Sequence, residues 1–231
     1  LASYAFFKVG QQAFGQEGFK PIVALWFATF ALAPGFFGPI EQEVGRALAH
    51  RRALGQGSRP VIKRVIPLTI ALAALITLVL VVASPWLNSE FFEKNAVVTL
   101  ALIIGFVAYA PAHLSRGICS GSERFASYGV IMGADGLTRI IGCIVLWQAG
   151  VESLIPYAFV VALAPLVGVM IAGSQGNLRT EDGPSASWKE VTPNLGWLLV
   201  GAIVAGALVN AGPIAVDILA DSNQADAVTK F

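Results

Sequence analysis

Apolar residues fall along this chain in long runs separated by short polar segments. Several runs approach the roughly 20 residues that a helix needs to cross the hydrocarbon core of a bilayer. None alternates apolar and polar residues as a barrel strand does, so each run predicts an α-helix. The runs cover residues 1–14, 21–40, 65–87, 96–113, 126–147, 154–172 and 195–219, and the second continues as an amphipathic helix towards His50. The pattern predicts seven transmembrane helices, the first of them cut short, with a turn at 15–18.

The composition agrees with a membrane environment. Hydrophobic residues make up 56% of the 231 residues and charged residues only 13%, whereas a soluble domain carries about a quarter charged residues. The chain is therefore predicted to be an all-α integral membrane protein with the lipid bilayer as a partner. No nucleophile–base pair, metal-ligand spacing or phosphate-cradling glycine loop occurs, so we expect neither an enzyme nor a cofactor or metal. The basic residues lack aromatic interleaving, so nucleic acid is not an expected partner.

The basic residues are distributed unevenly between the predicted loops. Lys and Arg are retained on the cytoplasmic side of a membrane, so loops rich in them are predicted to be cytoplasmic. Ten basic residues fall on one side of the predicted topology and three on the other. This asymmetry predicts a multi-pass membrane protein with a cytoplasmic N-terminus. The ten lie in predicted cytoplasmic segments at 46–64, 115–124 and 173–189: Arg46, Arg51, Arg52, Arg59, Lys63, Arg64, Arg116, Arg124, Arg179 and Lys189.

A polar segment divides the chain after the sixth run. Residues 173–189 are rich in Gly and Ser and contain Pro184, a composition typical of a flexible connector. An even group of short-looped helices followed by a linker and a new span suggests two lobes. We therefore expect a six-helix lobe over residues 1–190 and the start of a second lobe over 191–231. Because the chain starts at Leu1 inside an apolar run and stops shortly after another, we expect a fragment cut at both ends.

Four short stretches carry a resemblance to a known family. They lie in the order, and at the helix numbers, in which polysaccharide and oligosaccharide flippases of the multidrug/oligosaccharidyl-lipid/polysaccharide exporter superfamily have similar residues. The stretches are FGPIEQEVGRALAHRR at 37–52, SRG at 115–117 with GSERFASY at 121–128, Arg139 in the fifth run, and 210–219 with Asp217.

The resemblance implies a fold and a function. Members of that superfamily have twelve to fourteen helices in two pseudo-symmetric lobes around a central cavity. The chain would be the first lobe plus one helix of the second. It would lie in the plasma (inner) membrane and flip a lipid-linked oligosaccharide or polysaccharide precursor across it by alternating access. The alternatives are a cation-coupled multidrug exporter of the same superfamily and a non-transporting membrane scaffold subunit. An acidic cavity would favour the exporter, and tightly packed helices without a cleft would favour the scaffold.

Four ionisable residues lie within or near the apolar runs and are the candidate substrate-binding residues. A charge facing lipid costs several kcal/mol, so each should face a partner, a wet cavity or an interface. Asp135 and Arg139 stand four residues apart on one helical face, either as a self-neutralised pair or as a cavity pair in which Arg139 binds a diphosphate. Lys8 either adds a positive charge to that cavity or extends to an interface. Asp217 either belongs to the site or is solvated at a helix end.

Polar residues at the predicted helix ends receive a structural interpretation. Glu41, Glu43 and Arg46 are expected to form a surface ion-pair network where the second helix leaves the membrane. His50 and His113 lie near cytoplasmic boundaries and far apart in sequence, so they are given no role.

Overall fold

The computed structural model describes residues 2–202, 204, 205 and 208, with side chains from residue 6 onward except 16, 17 and 31. All elements in this part of the chain are α-helices, and it contains no strand. The helices are α1 (Ala2–Ala53), α2 (Arg59–Glu90), α3 (Ala96–Gly121), α4 (Phe125–Gln148), α5 (Leu154–Ser174), the short α6 (Trp188–Val191) and α7 (195–202).

Five helices are long and apolar enough to cross a membrane: the Gly18–Ala53 part of α1, and α2 to α5. The predicted all-helical, membrane-compatible architecture is therefore confirmed, with five candidate spans among the described residues where the sequence predicted seven. The first predicted span contributes only a short helical segment. Of the seventh, residues 195–202 are helical, and Asp217 lies outside the described residues.

The first apolar segment folds back on the second at Gly15. This glycine has φ 72° and ψ 175°, a left-handed backbone conformation that residues with a Cβ rarely adopt. Aromatic rings hold the two arms together, with centroids 5.5 Å apart for Phe6 and Phe19 and 4.9 Å apart for Phe7 and Trp26. The predicted turn after residue 14 is confirmed.

Helix α3 occupies the centre of the bundle. Its most apolar 18-residue window is 61% buried, against 17% for α2 and for α4, and it packs against α1, α2, α4 and α5. Helix α2 instead exposes a row of aliphatic side chains that includes Ile70, Leu78 and Val82. An exposed aliphatic face on a helix of this length is what contact with lipid tails requires.

Two predicted helix boundaries were wrong. In both cases, basic residues that were predicted to lie in a loop are part of a helix. Helix α3 does not end near His113 but continues to Gly121, which reduces the predicted loop at 115–124 to residues 122–124. Helix α2 begins at Arg59 and not near Val65, whereas α1 continues to Ala53 as the predicted extension towards His50 indicates, so the loop between them is only 54–58. Helix α1 also runs unbroken through Pro34 and Pro39.

Glycines let α3 approach α1 closely at these extended ends. A Cβ on Gly121 would lie 2.6 Å from both the Gly45 carbonyl oxygen and Leu48 Cβ, and one on Gly117 would lie 2.8 Å from the Glu41 carbonyl oxygen. Real Cβ atoms do not come so near to backbone. Small residues at such crossings are the usual means of helix association in membranes.

We expect Gly121→Ala to lower the free energy of unfolding by about 2 kcal/mol, because the added methyl group forces α1 and α3 apart. Gly129→Ala is the matched control, since a Cβ on that helical glycine meets nothing within 4 Å. Denaturant titration in detergent micelles, followed by circular dichroism, would measure both. Equal stability of the two variants would contradict the close approach.

Candidate functional site

A cavity of about 410 Å³ lies between α1, α3 and α4. One wall is aromatic and is formed by Phe6, Trp26 and Phe30. The Trp26 and Phe30 rings are nearly parallel, with an interplanar angle of 9° and centroids 5.0 Å apart. Polar side chains from α3 and α4 also line the cavity, namely Tyr109, Arg116, Tyr128, Asp135 and Arg139.

Arg139 is held at this cavity by two partners. Its Nη2 donates to both carboxylate oxygens of Asp135, at 2.7 and 2.9 Å, and to the Tyr109 hydroxyl at 2.6 Å. The side chain is only 5% exposed, and its Nε is buried without a hydrogen-bond partner among the described residues. The predicted contact with Asp135 is present, while Tyr109 is an additional partner that the sequence did not indicate. A guanidinium has five N–H donors, so Arg139 retains donating capacity beside the cavity.

The other two candidate residues are not brought to this cavity. Lys8 is exposed and is not among the side chains that line it. Asp217 lies beyond the described part of the chain. Of the four candidates, the structure therefore brings together Arg139 and Asp135.

A second polar cluster adjoins the cavity, and we call it the Glu41 cluster. Glu41 Oε2 accepts hydrogen bonds from Arg116 Nε at 2.9 Å and Nη2 at 2.7 Å, and lies 2.8 Å from His113 Nδ1. Glu41 Oε1 accepts from the Tyr128 hydroxyl at 2.9 Å. One carboxylate thus joins α1 to both α3 and α4. Because Arg116 and Tyr128 also line the cavity, the cluster and the Asp135–Arg139 pair border the same space.

The Glu41 cluster corrects the predicted surface network. Glu43 and Arg46 do pair, with Arg46 Nη2 2.7 Å from Glu43 Oε1, but Glu41 points to the neighbouring helices instead. The buried His113, which the sequence had given no role, belongs to the cluster.

Basic side chains bind the segment after α5 to the end of the bundle that carries the loops at 54–58 and 122–124, which we call the loop end. We call this segment, residues 175–191, the strap. Arg51, whose side chain is 2% exposed, donates from Nε and Nη2 to the two carboxylate oxygens of Glu190, at 2.5 and 3.0 Å. Its Nη1 donates to the Pro184 carbonyl at 2.7 Å, and Arg64 lies over the Trp188 ring at 5.0 Å. The segment predicted to be a flexible connector is instead held by specific contacts.

We expect Glu190→Gln to release the strap, because it removes the charge-assisted pair with the buried Arg51. Trypsin should then cleave after Arg179 about tenfold faster than in the unchanged protein, a factor equivalent to about 1.4 kcal/mol. Asp182→Asn is the control, since its ion pair with Arg59 is solvent-exposed and contributes little. Similar cleavage of both variants would contradict the role of Arg51.

Acid should have the same effect as Glu190→Gln. The hydrogen bonds from Arg51 hold the pKa of Glu190 below its ordinary value. A carboxyl group with a lowered pKa stabilises the folded state above its unfolded pKa, and this contribution is lost as the pH falls through the folded value. We therefore expect the strap to loosen below the ordinary glutamate range, with a weaker pH dependence in the Glu190→Gln variant. Proteolysis by an acid-active enzyme would follow this change.

Comparisons of the chain with family models, with curated proteins and with solved structures found no match.

Proposed function

We propose that this chain is part of a membrane transporter that binds a lipid-linked oligosaccharide or polysaccharide precursor and flips it across the plasma membrane by alternating access. The observation that carries the proposal is the cavity of about 410 Å³, which is lined by both Arg139 and three aromatic rings. Arg139 uses only Nη2 in its hydrogen bonds to Asp135 and Tyr109. Arginine binds diphosphate oxygens in bidentate fashion. Flat aromatic faces offer apolar surface to the C–H faces of sugar rings.

The charge of the cavity supports an anionic substrate. Its ionisable lining residues are Arg116, Arg139 and Asp135, apart from two tyrosines, so cations outnumber carboxylates. Asp135 is occupied by Arg139, and the nearby Glu41 by Arg116. A cation-coupled multidrug exporter, the alternative within transporters, would need a carboxylate free to meet a cationic substrate. A scaffold subunit would need no cleft between its helices, and the cavity counts against it.

The lobe organisation belongs to the same proposal. We assign residues 1–190 to a first lobe and residues 191–231 to the start of a second, joined at the strap. In an alternating-access cycle, the strap would transmit movement of the second lobe to the loop end of α1 through the Arg51–Glu190 pair.

Ligand binding to the purified protein in lipid nanodiscs tests the proposal. A polyprenyl-diphosphate sugar should quench tryptophan fluorescence, with the Trp26→Phe variant identifying the cavity signal. Arg139→Gln should weaken binding at least tenfold, which is the range of one charge-assisted hydrogen bond, and Lys94→Gln should not. Tetraphenylphosphonium is the competing probe. Tighter binding of this cation than of the diphosphate would favour the exporter, and binding of neither would support the scaffold.

The orientation in the membrane gives a prediction of its own. Arg52, Arg59 and Arg124 all make hydrogen bonds among the loops at one end of the bundle, as the predicted sidedness requires. We expect cysteines placed at Ser58 and at Lys94 to react with a membrane-impermeant thiol reagent from opposite sides, Ser58 from the cytoplasm. Cys119 and Cys143 are buried and should give little background. Labelling of both positions from one side would contradict the topology.

A further inference from the structure

A second cavity, of about 300 Å³, lies at the loop end of the bundle, away from the aromatic wall. Arginines from three different segments line it: Arg52 at the end of α1, Arg124 before α4, and Arg179 in the strap. The single carboxylate in its lining is that of Glu181. We call it the arginine pocket.

The donors of these arginines are only partly used. Arg179 has no side-chain hydrogen bond or ion pair among the described residues, and Arg124 donates only from Nη1, to the carbonyls of Asn177 and Arg179. Arg52 donates from Nη1 to the Ser122 carbonyl and forms an ion pair through Nη2 with Glu123. Both side chains of this ion pair are solvent-exposed. Three arginines with spare N–H donors therefore line one concave space.

The three arginines of the pocket outnumber its two carboxylates, which are Glu181 in the lining and the Glu123 that pairs with Arg52. The pocket therefore carries a net positive charge that attracts an anion. A phosphate group fits this demand best, because its oxygens accept bidentate bonds from more than one guanidinium. Ser58, Ser122 and Thr180, three residues with hydroxyl groups, also line the pocket. The volume leaves room for a substituent on the phosphate.

The surroundings of the pocket place it at a membrane boundary. Leu54 and Phe125, adjacent in sequence to its lining residues, are 58% and 65% exposed. Exposed large apolar side chains beside a basic cluster at the ends of membrane-length helices are typical of a surface that meets lipid headgroups.

We propose that the arginine pocket binds a phosphate group, either that of an anionic lipid headgroup or free phosphate. The site is separate from the cavity of the proposed function and does not depend on transport. Its occupancy would join α1, α4 and the strap through one anion.

Two measurements on the detergent-solubilised chain test the site and distinguish the sources. Native mass spectrometry with equimolar phosphatidylglycerol and phosphatidylcholine reports lipid retention, and thermal unfolding with added inorganic phosphate, against chloride at equal ionic strength, reports the free anion. Arg179→Gln is the test variant, since it loses no hydrogen bond within the fold. Lys63→Gln is the matched control, an exposed cation at the same end that does not line the pocket.

A headgroup site predicts that phosphatidylglycerol is retained preferentially and that Arg179→Gln lowers this retention about tenfold, while Lys63→Gln does not. A free-phosphate site predicts a phosphate-dependent rise in Tm that Arg179→Gln abolishes, without preference between the lipids. Arg52→Gln should repeat the effect of Arg179→Gln in either case. The proposal is overturned if Arg179→Gln matches the unchanged protein in both measurements, or if Lys63→Gln loses as much as Arg179→Gln.

Discussion

Arg139→Gln is expected to lower the free energy of unfolding by about 3 kcal/mol, the usual cost of removing one partner of a buried ion pair. Arg139 and Asp135 are only 5% and 18% exposed, so the substitution leaves a poorly hydrated carboxylate without its cation. The Tyr109 hydroxyl also loses its partner. Denaturant titration in micelles would measure the loss. A change below 1 kcal/mol would mean that Asp135 does not depend on Arg139.

The double variant Asp135→Asn/Arg139→Gln separates stability from binding. Two neutral amides replace the ion pair, and most of the lost stability should return because no unpaired charge is left. Binding of a polyprenyl-diphosphate sugar should not return if Arg139 contacts the diphosphate. Recovery of both stability and binding would show that the pair is structural. Arg139→Lys should bind with intermediate strength, since it keeps the charge and loses the planar fork.

Local features of the sequence predicted local features of the structure. The apolar runs predicted both ends of α4 and α5 and the C-terminal end of α2 to within three residues. They did so because a helix that faces lipid must be apolar along its length. The Asp135–Arg139 contact was predictable for a similar reason: residues four apart on a helix are neighbours whatever the rest of the fold does. The turn at Gly15 followed from a glycine-flanked polar break in an apolar run.

Contacts between distant segments were not predictable in this way. The Glu41 cluster joins residues 72 to 87 positions apart, and no periodicity of a single helix shows such a contact. The misplaced end of α3 contributed, since His113 and Arg116 were assigned to a boundary and a loop when both lie inside one helix.

The strap shows a different limit of sequence reasoning. Its Gly, Ser and Pro content predicted a flexible connector, because such a composition imposes little local order. However, the strap is held by hydrogen bonds from Arg51 to the Pro184 carbonyl and to the Glu190 carboxylate. These two residues lie 133 and 139 positions after Arg51 in the sequence. Backbone acceptors carry no signature in a sequence.

Glu41→Gln is expected to have an effect as large as Arg139→Gln, about 3 kcal/mol. Glu41 is 14% exposed and Arg116 15% exposed, so the charge of Arg116 would be left in a poorly hydrated site between three helices. The amide keeps one acceptor oxygen, which cannot serve Arg116, His113 and Tyr128 together. Thermal unfolding and denaturant titration of the same variant should therefore both show a loss of stability.

Three further variants decide whether the charge or the hydrogen bonds of the Glu41 cluster matter. Tyr128→Phe removes one neutral hydroxyl donor and should cost about 1 kcal/mol. Glu123→Gln breaks an ion pair that is 52% and 61% exposed and should cost almost nothing. Glu41→Gln/Arg116→Gln should regain at least half of the stability lost in the single Glu41 variant, because it leaves no unpaired guanidinium. If the double variant is less stable than the single one, the hydrogen-bond network, and not the charge pair, joins α1 to α3 and α4.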